Sequence, residues 1–144
     1  MNLKERCPII YFDELGDERG HLVVVEGKQA FPFDIKRIFY IYGSDPAVIR
    51  GQHANRISEF VLINVSGKSK VRVTDGTEEV VVELNKPNMG VYLPPMVWKD
   101  MYDFSENSVL LVLASTHYDA SEYIRNYEEY LKSIGKDDKT FGGH

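Results

Sequence analysis

A succession of short runs rich in Val, Ile, Tyr and Phe, each closed by turn residues, constrains the fold of this chain more than any other feature. The runs cover residues 9–12, 21–26, 37–42, 59–65, 69–74, 78–84, 90–93 and 108–114. β-branched and aromatic side chains suit a pleated, half-buried surface. Asp75-Gly76 separates two alternating runs and predicts a hairpin, because both residues tolerate positive φ. Ser66-Gly67 and Asn88-Met89-Gly90 mark further turns. Many short strands at short intervals predict an all-β domain, closed or sandwiched, over residues 8–115.

One helix is expected after the strands, over residues 120–134. Asp119-Ala120-Ser121-Glu122 has the form of a capping box, and Tyr123, Ile124, Tyr127, Leu131 and Ile134 fall on a helical stripe. Gly135 is a natural stop. Residues 1–135 are expected to form one domain, and 136–144 a mobile polar tail containing His144. A chain of 144 residues can build one core without staples. The net charge of -5 argues against a nucleic acid or an anionic membrane as partner. The single cysteine, Cys7, has no intrachain partner, and no run is long and apolar enough to span a bilayer. A cytoplasmic protein is the expectation.

The chemistry is concentrated in Arg50-Gly51-Gln52-His53-Ala54-Asn55-Arg56-Ile57-Ser58-Glu59. In an extended segment, residues 53 and 55 share one face and Arg56 takes the other. His53 is suited to proton transfer because its ordinary pKa lies near neutrality. His21 and His117 are expected to be structural.

The spacing His53, Asn55, Glu59, Gly67 resembles the first motif of the cupins, and Gly90-Val91-Tyr92-Leu93-Pro94-Pro95-Met96-Val97-Trp98 resembles the second. Asn55 and Trp98 stand where metal-binding cupins place histidines. With two of four ligands replaced by non-ligands, no catalytic metal is expected. The resemblance implies a jelly-roll-like cupin barrel.

A narrower resemblance runs through nearly the whole chain. It is carried by Asp17-Glu18-Arg19-Gly20-His21-Leu22, Ile35-Lys36-Arg37-Ile38-Phe39-Tyr40-Ile41-Tyr42, Arg50-Gly51-Gln52-His53-Ala54-Asn55, Trp98-Lys99-Asp100-Met101-Tyr102-Asp103-Phe104-Ser105 and Tyr123-Ile124-Arg125-Asn126-Tyr127. These segments are similar to bacterial sugar 3,4-ketoisomerases, which make precursors of 3-amino-3,6-dideoxyhexoses, sugars of the lipopolysaccharide type, from dTDP-4-keto-6-deoxyglucose. The resemblance implies isomerisation of a dTDP-4-keto-6-deoxyhexose, no metal or organic cofactor, and a homodimer that exchanges N-terminal strands. Many members have histidine where this chain has Asn55, an amide that takes no proton at neutral pH.

In such a reaction the ketone at carbon 4 acidifies the hydrogen on carbon 3. A base removes it, an enediolate forms, and reprotonation at carbon 4 gives the 3-keto isomer. His53 is the expected base and acid, and Tyr40 the expected hydroxyl partner of an oxygen. Asn55 is a candidate donor to the enediolate. Arg50, Arg19, Arg37, Arg56 and Lys99 are the candidate cations for the nucleotide diphosphate, since guanidinium groups bind phosphate bidentately. Trp98 either walls the pocket or joins the core. Two other readings stand beside this one: a nucleotide-sugar 3,5-epimerase, and a non-catalytic sugar-nucleotide-binding cupin.

Overall fold

A computed structural model describes residues 1–136. Twelve strands form among the described residues: β1 (Ile9–Tyr11), β2 (Glu14–Asp17), β3 (Gly20–Val23), β4 (Arg37–Tyr42), β5 (Arg50–Asn55), β6 (Phe60–Ser66), β7 (Ser69–Thr74), β8 (Glu79–Leu84), β9 (Met89–Leu93), β10 (Trp98–Tyr102), β11 (Val109–Ala114) and β12 (Tyr123–Ile124). They make two five-stranded antiparallel sheets, β1-β9-β6-β11-β4 and β12-β5-β10-β7-β8, while β2 and β3 form a hairpin apart. β7 and β8 pair around Asp75-Gly76, where the hairpin is expected.

The main core lies between the two sheets. Leu62, Val91, Leu110 and Val112 of the first sheet pack with Val71, Val73, Leu84 and Met101 of the second. β7 shows the cause, alternating buried Ser69, Val71 and Val73 with less buried Lys70, Arg72 and Thr74. A second cluster covers the back of the first sheet. There Phe31 and Phe33, from the segment before β4, lie on Val61, Ile63 and Leu113. β4 follows the same rule, with Phe39 and Ile41 turned toward the main core and Ile38, Tyr40 and Tyr42 exposed.

The C-terminal helix is shorter than expected. Ala120–Glu122 is one 3-10 turn, Tyr123–Ile124 is strand β12 paired with β5, and only α2 (Tyr127–Ser133) is α-helical. Asn126 caps α2 by accepting from the Glu129 N–H. The stripe from Tyr123 to Ile134 therefore joins two elements. The box at Asp119 is half real. Asp119 accepts from the Ser121 N–H, but the Glu122 side chain turns inward instead of returning to the cap. A short α1 (Leu3–Arg6), capped by Asn2, precedes β1. Of the expected tail over 136–144, residues 137–144 lie outside the described residues, and Lys136 donates its N–H to the Leu131 carbonyl. No helix of the described residues is long and apolar enough to cross a membrane.

Candidate active site

The site is built on the face of β5 and β10 that looks toward the first sheet. β5 carries consecutive positive φ values, 84° at Gly51 and 55° at Gln52. Its register against β10 shifts there, with His53 opposite Lys99 and Gly51 opposite Asp100. Gln52 is thus the extra residue of a β-bulge, a device that re-aims neighbouring side chains. Gly51 is required for close approach as well as for φ, because a Cβ would lie 3.0 Å from the Lys99 carbonyl oxygen.

Across the bulge, His53 and Lys99 face each other and line one cavity of about 90 Å³. Phe39, Phe60, Leu62 and Met101 supply its apolar wall, and Tyr123 of β12 lies 4.9 Å from the His53 ring. Among the described residues, His53 Nδ1 is buried with no hydrogen-bond partner. Burial, and then the charge of Lys99, push the His53 pKa down to about 4 against an opposing contact with the Gly51 backbone, which falls short of a full hydrogen bond, so the imidazole is neutral at pH 7. It can accept a proton without first losing one.

Lys99 is 3% exposed, on a strand whose next two residues, Asp100 and Met101, are also buried. Its Nζ donates to Asn55 Oδ1 at 3.2 Å and lies 4.9 Å from the Phe60 ring centroid. Burial lowers its pKa to about 7, with Glu122 opposing. Asn55 is held in turn by Glu122, donating Nδ2–H to Oε2 at 2.6 Å. Glu122 also accepts from the Ser58 hydroxyl at 2.5 Å and from the Ile57 and Ser58 N–H groups. Burial alone would raise the Glu122 pKa, but these donors, Ser58 foremost, hold it below the usual carboxylate range. Glu122 ties β5 to the chain after β11 and fixes which end of the Asn55 amide faces Lys99.

The other expected site residues divide sharply. Arg37 lies beside the cavity wall, its Cζ 5.3 Å from the Phe39 ring and 5.6 Å from that of Tyr118. Its Nε and Nη2 are buried without hydrogen-bond partners among the described residues. Arg50 sits opposite Met101, so the register puts it on the His53 face, where it donates to Ser44 Oγ. Arg56 points to the other face, 3.8 Å from Glu129. Arg19 is at the exposed tip of the β2–β3 hairpin, bonded to Asp17. Tyr40 is 61% exposed on the outer side of β4, stacked on Tyr42. Strand parity puts Phe39, and not Tyr40, against the cavity, so within one chain Tyr40 does not reach His53. Lys99 is buried beside His53 and away from the exposed arginines. Trp98 is core, packed on Tyr127 and Tyr130 behind β10. Glu59 accepts from the Tyr92 hydroxyl at 2.5 Å, in the layer behind the first sheet.

Sequence alone does not mark three residues of the site, Glu122, Tyr123 and Arg125. Arg125 stacks on Tyr123, Cζ 4.5 Å from the ring centroid, beside His53. All three fall within the helix expected over 120–134. Among the described residues, no three of His, Cys, Asp and Glu come together as a metal-ligand set.

A family profile described as FdtA: WxcM-like, C-terminal matches residues 5–135. A curated relative from Aneurinibacillus thermoaerophilus, a TDP-4-oxo-6-deoxy-alpha-D-glucose-3,4-oxoisomerase, is 40% identical over 128 residues, covering 89% of this chain and 92% of that one. The chain belongs to this family. Among solved structures, QdtA, a sugar 3,4-ketoisomerase from Thermoanaerobacterium thermosaccharolyticum in complex with TDP, superposes with a TM-score of 0.88 at 44% identity, over 91% of this chain and 96% of its own. A histidine-to-asparagine mutant of QdtA, in complex with TDP-4-keto-6-deoxyglucose, gives 0.88 at 42% identity, over 96% and 99%.

Proposed function

We propose that this member of the FdtA family is a 3,4-ketoisomerase of a dTDP-4-keto-6-deoxyhexose in deoxyamino-sugar biosynthesis. The observation that carries the reading is His53: neutral, buried, unpartnered at Nδ1 among the described residues, and facing a cavity roofed by Tyr123. A neutral imidazole there is a base for the hydrogen on carbon 3 and, once protonated, the acid for carbon 4. The names of the relatives supply the substrate class.

Arg37 is the first choice for the pyrophosphate, because its two buried nitrogens without partners call for an acceptor. Arg50 and Arg125 follow by position. The reaction is read as metal-independent. Asn55, at one would-be ligand position, is committed to Glu122 and Lys99, and Trp98, at another, faces away from His53.

The two sheets are read as one jelly-roll-like cupin barrel spanning 1–135, and the molecule as a cytoplasmic homodimer. An open apolar row on β4, of Ile38, Tyr40 and Tyr42, supports the dimer, as do Leu15 and Leu22 on the β2–β3 hairpin. Exchange of the N-terminal strands would carry Arg19 toward a partner's site. Sedimentation is expected to give a dimer at micromolar concentration; a stable monomer would remove this part of the reading.

The direct test is NMR in deuterated water with dTDP-4-keto-6-deoxyglucose. Formation of the 3-keto isomer with solvent deuterium at carbon 4 is expected, with and without prior chelation. Binding without isomerisation or exchange would leave a sugar-nucleotide-binding cupin instead.

A further inference from the structure

Isomerisation moves two protons, and His53 accounts for one. Carbon 3 gives up a hydrogen and carbon 4 gains one, through an imidazole whose proton exchanges with solvent, while the hydroxyl proton on oxygen 3 must leave and oxygen 4 must gain one. We propose that Lys99, held by Asn55 and Glu122, is a second catalytic residue that carries the proton between the two oxygens. The inference rests on the ketoisomerase reading and assigns a residue that the reading does not need for the carbon step.

The geometry is specific. Lys99 stands directly opposite His53 across the β5–β10 ladder and lines the same cavity, so both side chains lie on one face. Among the described residues Lys99 forms no ion pair and meets the Asn55 oxygen and the Phe60 ring. An ammonium has three donors. With one on Asn55, the others remain for the substrate oxygens. Asn55 accepts from Lys99 because Glu122 occupies its amide nitrogen, and Glu122 is itself locked by Ser58 and the Ile57 and Ser58 N–H groups. Asn55 and Glu122 are thus positioning residues.

The steps balance. As His53 takes the proton from carbon 3, the Lys99 ammonium gives one to oxygen 4, leaving a neutral enediol and a neutral amine. Then protonated His53 gives its proton to carbon 4, and the hydroxyl on oxygen 3 returns a proton to Lys99. The carbonyl is now at carbon 3 and both residues are restored. A lysine with a pKa near 7 can do both halves, where one near 10 would hold its proton. The ionisable groups acting on it are Glu122 and Cys7, which favour the ammonium, and His53, whose protonation would oppose it.

The test uses the full chain with dTDP-4-keto-6-deoxyglucose. Isomerisation by the unsubstituted chain is expected to fall as pH rises through about 7–8, as the ammonium is lost. Lys99→Met is expected to lose at least about 100-fold in kcat while dTDP affinity stays within about threefold, and its residual activity should lack the alkaline limb. Glu122→Gln, which removes a charge favouring the ammonium, should move that limb to lower pH. A rate from the unsubstituted chain that holds steady to pH 9 overturns the inference without any variant. So does a Lys99→Met protein within threefold of the unsubstituted rate. Should the unsubstituted chain bind dTDP yet catalyse nothing, the ketoisomerase reading fails first and takes this inference with it.

Discussion

Among the described residues, the buried polar clusters around Asn64 and Asn55 are built to opposite rules. Around Asn64, everything is neutral and mutually satisfied. The Asn64 amide donates to the Ser66 carbonyl and to Ser108 Oγ, both at 2.9 Å, and the Ser69 hydroxyl donates to Asn64 Oδ1. This cluster pins the point where the chain leaves β6 in one sheet for β7 in the other. Around Asn55, the same residue type sits between a carboxylate and a lysine, next to a histidine nitrogen with no hydrogen-bond partner among the described residues. A satisfied network rigidifies, whereas an unsatisfied buried group is a cost that a fold keeps for a reason. Partner count, more than burial, separates scaffold from site.

The comparison is broken most directly at His53. His53→Asn is expected to lower isomerisation by at least about 10²–10⁴-fold, with dTDP affinity and melting temperature nearly unchanged. Solvent exchange at carbon 3 at the unmutated rate would show that another group is the base. At the rim, Arg37→Ala should weaken dTDP binding by about 1.5–3 kcal/mol, the range for a hydrogen bond to a charged group. Calorimetry showing unchanged affinity would make Arg37 a packing residue against Phe39 and Tyr118.

Asn64→Ala is the mirror experiment. It strands Ser69, Ser108 and the Ser66 carbonyl, so stability should fall by about 1–3 kcal/mol, while kcat per folded molecule holds. Urea unfolding without loss would show that the cluster is not structural.

The remaining effect is in pH, and it is spread over several units. A lysine lowered from 10.5 to about 7 leaves the unfolded chain binding more protons between those values, so its burial costs stability below pH 7 and less as pH rises. Lys99→Met should therefore have its best stability relative to the unmutated protein at pH 6. The advantage should shrink toward pH 10 with a slope no steeper than about 1.4 kcal/mol per pH unit. A difference flat with pH would mean that Lys99 keeps an ordinary pKa.

The same contrast explains what the sequence made legible. β4 and β7 match expectation because alternation of apolar and polar side chains governs both. β5 and β10 escape it. β5 reads Arg-Gly-Gln-His-Ala-Asn, with two positive φ values, and β10 buries Lys99 and Asp100 where the pattern demands apolar residues. β2 is exposed along its whole length and so carries no pattern. The shared face of His53 and Asn55 follows from strand period alone and holds, as does the opposite direction of Arg56. Tyr40 required the phase of β4, which sequence leaves open by one residue, and one residue is a change of face. Glu122 has two chemically sound uses, a helix cap or a buried acceptor. Only the arrival of Asn55 and Ser58 from 67 and 64 residues away selects the second.

The bulge at Gly51-Gln52 also bears on how this strand tolerates change. A regular ladder transmits any slip along its whole length, so trimming or lengthening the loop before β5 would rotate every side chain after it. With one unpaired residue at the boundary, slack in the 43–49 approach can be absorbed before it reaches His53. The rim residue Arg50 and the cavity residue His53 are thereby mechanically uncoupled, although only two residues separate them. Substrate preference at the mouth can drift in such a strand while the distance from imidazole to lysine stays fixed.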